Sequence, residues 1–344
     1  MPTNSVRTIP ALKPITTATA PHLRQVSALA HNTPAPSRSV VFSPDSARLA
    51  CTTYEGLFIW DVRRGSLLAA REVSVTSLAF SPDGATLAAA GRDVAFLDPR
   101  SAEPTGTLRG HTGGTTCIAY SPDGALFASG GMDGQVRVGH LASRRLAHTF
   151  AHPAPVRALA LSADGETLAA AAWSDAREPR WLYLWSVRTG AQIATLRGRT
   201  ARSLSFSPDG ALLAADGVIY DVASRRERWD SNDRFAAFSA DSKVVATCRG
   251  DFTTVGLWEA ATGSKLALLR GHTEGVWSVA FSPDMRLLAS GGGSIDMHAV
   301  LRGETRPLED NGVRLWGAPV ADPEATKPLP PAPPGTSRLR RLYD

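Results

Sequence analysis

Short apolar runs separated by clusters of turn-forming residues fill most of this chain. Leu87-Ala88-Ala89-Ala90, Leu126-Phe127-Ala128-Ser129 and Leu182-Tyr183-Leu184-Trp185 are examples. Such runs are too short for helices and are bounded by Gly, Pro, Asp or Ser, which is the pattern of antiparallel strands. The most regular punctuation is an apolar residue followed by Ser-Pro-Asp-Gly, as in Phe80-Ser81-Pro82-Asp83-Gly84. Variants stand at Phe42–Ser46, Tyr120–Gly124, Leu161–Gly165, Phe206–Gly210, Phe238–Ser242 and Phe281–Met285. Proline presets φ for the first corner of a type I turn, Asp suits the second, and Gly accepts the left-handed conformation that returns the chain. Each copy therefore predicts a hairpin. Where Ser46, Ser242 and Met285 replace the Gly, a left-handed residue there costs about 1 kcal/mol.

The seven Asp positions are 45, 83, 123, 164, 209, 241 and 284, spaced 32 to 45 residues apart. Each interval repeats one plan. A strand ends in the turn and a second follows, such as Leu87–Ala90. A third comes after a short loop, such as Phe58–Asp61 or Val255–Trp258. A fourth follows a Gly-containing turn, as in Gln192–Leu196 after Thr189-Gly190. Four antiparallel strands per repeat of this length make the unit of a propeller blade.

Arg270-Gly271-His272-Thr273, Val276–Asp284, Leu287–Ser290 and Val313-Arg314-Leu315-Trp316 together resemble one WD repeat, and Arg109-Gly110-His111-Thr112 through Asp133 is similar. The resemblance runs from about Val26 to Ala318. It implies an all-β, seven-bladed WD-repeat propeller with four antiparallel strands per blade. No good fourth strand follows Trp316, whereas Val26–Ala30 before His31 looks like one. The N-terminal strand is therefore expected to complete the last blade, which removes exposed sheet edges.

The same resemblance gives His272, Ser290, Asp310 and Trp316 a structural role, although on paper they look like a catalytic set. They are expected to form a buried hydrogen-bond network, worth more satisfied than broken. The third repeat has His111, Ser129 and Asp133 but carries Gly139 at the Trp position, and the first has Trp60 with Cys51 at the Ser position. Uneven blade stability follows, greatest at the last blade.

Composition narrows the classes. Thirty-seven basic and 32 acidic residues give a charge of +5, and the only lysines are Lys13, Lys243, Lys265 and Lys327. Three scattered cysteines make neither a metal spacing nor a disulfide framework. No apolar run of membrane-spanning length occurs. No phosphate loop, zinc spacing or nucleophile elbow appears, so no catalytic residue, cofactor or metal is expected. Residues 1–25 contain no acidic residue and no apolar signal core, and are expected to be a disordered arm. Residues 26–318 form the propeller. Residues 319–344 hold seven prolines and end near Arg338-Leu339-Arg340-Arg341, which suggests an extended spacer with a basic end. A cytoplasmic location is expected. Two loops, Trp173–Arg180 and Gly292–Glu309, are enlarged, the latter carrying Asp296 and His298.

One aligned position stands out. Four residues before the apolar residue of each turn stand Arg38, Thr76, Thr116, Arg157, Arg202, Arg234 and Trp277. With 33 arginines in 344 residues, fewer than one would fall among seven positions by chance; there are four. The residue lies at the start of its strand, on the same face as the turn's apolar residue, near the rim of a propeller's channel. Such a ring suits an acidic or phosphorylated peptide through charge-assisted forks, with Trp277 as an aromatic anchor. The expected function is a non-catalytic protein-interaction scaffold, itself monomeric and with no membrane partner. The alternative is a basic propeller associated with nucleic acid or ribonucleoprotein, whose binding would fall steeply with salt. A third class, enzyme, rests only on the His-Ser-Asp set.

Overall fold

The computed structural model describes residues 9–31, 33, 35–141, 143, 145–173, 181–197, 201–249, 252–293 and 312–320. Among them the chain folds into seven four-stranded antiparallel units. Blade 1 runs from Ser39–Phe42 to Ser66–Glu72, blade 2 from Ser77–Phe80 to Pro104–Leu108, and blade 3 from Thr115–Tyr120 to Arg145–Ala151. Blade 4 runs from Val156–Leu161 to Gln192–Arg197, blade 5 from Leu204–Phe206 to Arg226–Asp230, and blade 6 from Phe235–Phe238 to Lys265–Arg270. Blade 7 is composite. Val276–Phe281, Leu288–Gly292 and Gly312–Pro319 come from one end of the chain, and Arg24–Ala30 from the other. Arg24 pairs with Gly317 and Leu29 with Val313, so the ring closes on the N-terminal strand as expected. The first strands of consecutive blades touch all the way round, including blade 7 against blade 1. They therefore line the central axis.

The hairpin turns form as predicted, and the serine proves to be their fulcrum. In all seven, the Ser hydroxyl donates to the Asp carboxylate two residues on. The same oxygen accepts the backbone N–H five residues on, at 2.9 Å each time. Each serine is buried, so the bonds satisfy a hydroxyl that would otherwise be costly to bury. Ser46, Ser242 and Met285 take φ of 58°, 61° and 60°, the left-handed strain expected of them.

Seven clusters of buried apolar residues hold the ring together, one at each boundary between neighbouring blades. The third-strand tryptophans pack toward the preceding blade. Trp60 joins the cluster between blades 7 and 1, and Trp316 the one between blades 6 and 7. Cys51, Cys117 and Cys248 are free and buried, and burial pushes the Cys51 and Cys117 thiols up to about 12.

The N-terminal arm departs from expectation. Residues 1–8 lie outside the described residues, but from Ile9 to Gln25 the chain is packed rather than disordered. Leu12 pairs with Pro319, and Ile15, fully buried, donates its N–H to the Met285 carbonyl at 2.5 Å. Ala20–His22 form a short 3-10 turn with Pro21 at its start. Ile15, Ala20 and Leu23 join the core between blades 6 and 7. Three apolar side chains set among prolines and threonines show no periodicity, so composition alone hid their burial. The spacer beyond Val320 lies outside the described residues, as do Asp296, His298 and Asp310.

Candidate functional site

The aligned rim position sits at or just before the start of each innermost strand, and side chains there link one blade to the next. Thr76 Oγ1 donates to the Thr116 carbonyl of the following blade at 2.9 Å. Thr116 Oγ1 donates to the Val156 carbonyl of the blade after that, at 2.5 Å. Arg157 comes next in this circuit. The order round the ring is then Arg157, Arg202, Arg234, Trp277 and Arg38 on blades 4, 5, 6, 7 and 1, with the two threonines on blades 2 and 3. Arginine and tryptophan thus occupy one unbroken arc.

The structure brings the four arginines into one field. Burial lowers the pKa of Arg157, and the charges of Arg202, Arg38 and Arg234 lower it further. Burial likewise lowers that of Arg202, with Arg234 and Arg38 adding repulsion. None of the four forms an ion pair among the described residues. Two stand on aromatic faces: Arg38 lies 4.5 Å from the Tyr54 ring centroid and Arg157 4.4 Å from that of Trp173. Such stacking holds the guanidinium while its donors stay at the edge of the plane. Tyr54 and Trp173 are large exposed aromatics. Trp277, half-buried, donates its indole N–H to the Gly293 carbonyl at 2.8 Å.

One carboxylate lies in this field, and the sequence did not reveal it. Asp216 is buried and left-handed, with φ of 53°. It accepts the backbone N–H of Arg202 at 2.6 Å and of Ser203 at 2.9 Å. Burial pushes its carboxyl up to about 7, against the pull of those bonds and of the Arg202 and Arg157 charges. An Asp-Gly pair after a short strand reads as an exposed turn. Tyr54 and Trp173 also escaped the alignment, because their loops differ in length between repeats.

The expected structural networks are off the rim, within the blades. His272 Nε2 and Trp316 Nε1 each lie 2.7 Å from Ser290 Oγ, and their intended fourth member, Asp310, lies outside the described residues. In blade 3, His111 Nδ1 is 2.9 Å from Asp133 Oδ1 and Nε2 is 2.9 Å from Ser129 Oγ. In blade 1, His31 Nε2 meets Ser37 Oγ at 2.9 Å, and Cys51 Sγ lies 3.9 Å from that oxygen. The sequence missed a further set. In blade 6, Trp258 Nε1 donates to Thr247 Oγ1 at 2.7 Å, which donates in turn to Asp233 at 2.5 Å. Asp233 stands in the loop ahead of the blade's first strand, as His272 does in blade 7, but as a carboxylate and at a shorter spacing from its hydroxyl partner, so a search for histidine passes over it.

Among the described residues no helix is long and apolar enough to cross a membrane, and no cluster of His, Cys, Asp and Glu is placed to hold a metal.

Residues 65–93, 102–138, 144–177 and 263–316 match the family model for the WD domain, G-beta repeat. The first match begins at the outer strand of one blade and ends inside the next, so the sequence repeat is offset from the structural blade. The chain is similar to a Periodic tryptophan protein 2 homolog of Dictyostelium discoideum, 26% identical over 246 residues, covering 65% of this chain and 26% of that one. A Periodic tryptophan protein 2 homolog of Caenorhabditis elegans is 25% identical over 272 residues, covering 69% and 30%. Centriole proteome protein 16 of Chlamydomonas reinhardtii is 39% identical over 101 residues, covering 28% and 5%. The chain spans less than a third of the length of each. Seven four-stranded blades in a closed ring, with the repeat matches laid across them, make this chain a member of the WD-repeat β-propeller family.

Proposed function

We propose that the chain is a non-catalytic interaction scaffold that binds an acidic segment of a partner protein across the channel rim. The contact arc is Arg157, Arg202, Arg234, Trp277 and Arg38. The observation that carries the reading is the mutual field of the four guanidiniums, with no ion-paired partner among the described residues. Like charges held together repel, and an incoming carboxylate or phosphate relieves that repulsion while forming charge-assisted forks. The aromatic faces of Tyr54 and Trp173 add apolar area beside the charges.

The test is titration of a fluorescent Glu-rich peptide, its phosphoserine counterpart and a neutral peptide of equal length. Arg157, Arg202 and Arg234 are changed together to Ala, with thermal melts confirming that the variant is folded. Both anionic peptides are expected to bind the wild type and to weaken at least about tenfold in the variant. Equal affinity for the neutral peptide, or an unchanged variant, overturns the reading. Tighter binding of a single-stranded RNA, with a steep log-linear loss in salt, would favour the nucleic-acid alternative.

A further inference from the structure

The boundary between blades 2 and 3 is the thinnest in the ring. Its buried cluster has five residues, Ala88, Ala90, Val94, Ile118 and Phe127, whereas the boundary between blades 7 and 1 has thirteen. A cavity of about 430 Å³ opens there, with Phe96, Tyr120, Phe127, Ser129, Gly139 and Leu146 in its walls. That volume is within the range of small-ligand sites.

Register explains the void. Gly139 pairs with Phe127 in blade 3. The corresponding pairs are Trp316 with Leu288, Trp185 with Leu168, Trp258 with Val245 and Trp60 with Leu49. Four blades thus fill this place with an indole packed toward the preceding blade, and blade 3 does not.

The polar fittings for an indole remain. In blade 7, Ser290 Oγ takes both His272 Nε2 and the Trp316 N–H. In blade 3, His111 and Ser129 repeat the first contact. Asp133, a pure acceptor when ionised, receives the His111 Nδ1–H. The neutral ring then takes the Ser129 O–H at Nε2, leaving lone pairs on Ser129 Oγ for another donor. On the same cavity wall Tyr120 Oη is buried without a hydrogen-bond partner among the described residues, at a position where five of the seven turns carry Phe. Phe127 meets the rings of Phe96 and Tyr120 edge-on, at 5.6 and 5.0 Å. Leu108 and Leu146, 39% and 59% exposed, add apolar surface to the lining beside the Arg109, Arg137 and Arg145 side chains.

We propose that this cavity is a second binding site and receives a tryptophan side chain from a partner peptide. The indole N–H would donate to Ser129 Oγ, the ring would pack on Phe96 and Phe127, and a peptide carbonyl would accept from Tyr120 Oη. All eight tryptophans of this chain occupy other described positions, so the occupant comes from another molecule. This site is separate from the rim and does not depend on it.

The test is calorimetric titration of the full chain with N-acetyl-tryptophanamide, its 1-methylindole analogue and free indole. Saturable millimolar binding of the amide is expected, weakened about tenfold by the N-methyl group or by Ser129→Ala. Gly139→Trp, which supplies the indole from within, is expected to abolish it. A Cβ at residue 139 would lie 3.0 Å from the Arg145 carbonyl oxygen, so that variant asks the backbone to shift; the N-methyl comparison on wild type avoids this. No saturable binding, equal affinity for the two analogues, or free indole binding as tightly as the amide overturns the proposal. So does dimerisation of the wild type that disappears in Gly139→Trp, since a second copy would then be the occupant.

Discussion

Ser46 Oγ accepts a hydrogen bond from the backbone N–H of Asp284 at 3.1 Å, clasping the turn of blade 1 to that of blade 7 across 238 residues of sequence. Ser242 Oγ does the same for Asp209 N–H at 3.0 Å, between blades 6 and 5. Two of the three residues that replace the turn glycine thus return a bond for their strained φ. Met285 has the same strain, and its thioether sulfur is a far weaker acceptor than a hydroxyl. Met285→Gly is expected to raise stability by about 1 kcal/mol. Ser46→Gly and Ser242→Gly are expected to change it little, since relief of strain is offset by a lost bond of about 1 kcal/mol. Urea midpoints at constant m-value decide this. Equal gains in all three would show that the clasps contribute nothing.

Asp216 makes stability depend on pH. Its carboxyl titrates near 3.8 in an ordinary setting and about 7 when folded. The folded state therefore holds a proton that the unfolded chain has released. The favourable contribution is complete below pH 3.8 and is lost as pH rises to about 7. Asp216→Asn keeps an acceptor for the Arg202 and Ser203 N–H groups without a titrating proton. Its advantage over wild type should be near zero at pH 4 and reach a few kcal/mol at pH 8, because each tenfold difference in proton affinity between folded and unfolded chains is worth about 1.4 kcal/mol. A difference that does not vary with pH would refute the assignment.

The blade 6 network can be set against that of blade 7. Thr247→Val takes a hydroxyl from the half-buried Asp233 carboxylate and from the Trp258 indole N–H, and should cost about 1–3 kcal/mol. His272→Ala should lower the melting temperature too, by removing the buried imidazole from Ser290. Chemical denaturation of each variant gives the comparison. A His272→Ala protein melting no earlier than wild type would contradict the structural role.

Burial of the N-terminal arm predicts that Ile15→Ala costs about 2–5 kcal/mol. Lys13→Ala, a neighbour whose side chain is exposed, should fall within about 0.5 kcal/mol. If both are neutral, the arm contributes nothing to the core.

Much of the fold was legible because its signals are local. Ser-Pro-Asp-Gly sets its own turn, and seven copies count their own blades. Even the penalty at Met285 could be read from the missing glycine. Features that depend on two distant stretches were not legible. Ile15 looks like one apolar residue in a polar leader until the blade 6 and 7 cores surround it. Asp233 lies in a loop and Thr247 on a strand beyond the next turn, and nothing in their spacing marks a pair. Gly139 was recognised as a missing tryptophan, but its consequence, a cavity, depends on how blade 2 packs against it. At the rim, alignment found the four arginines. Asp216 stayed hidden because its burial is a tertiary fact.

The composite seventh blade also governs how the ring can be assembled. Arg24–Ala30 leaves the ribosome ahead of blades 1 to 6, while the strand it pairs with, Gly312–Pro319, follows all six. Until then six blades form an open arc with unpaired strand edges at both ends, a form exposed to mispairing with other chains. A stop anywhere after Gly293 and before Gly312 would therefore do more than delete a strand. It would leave Leu29 and its neighbours without a sheet and the circle permanently unfastened.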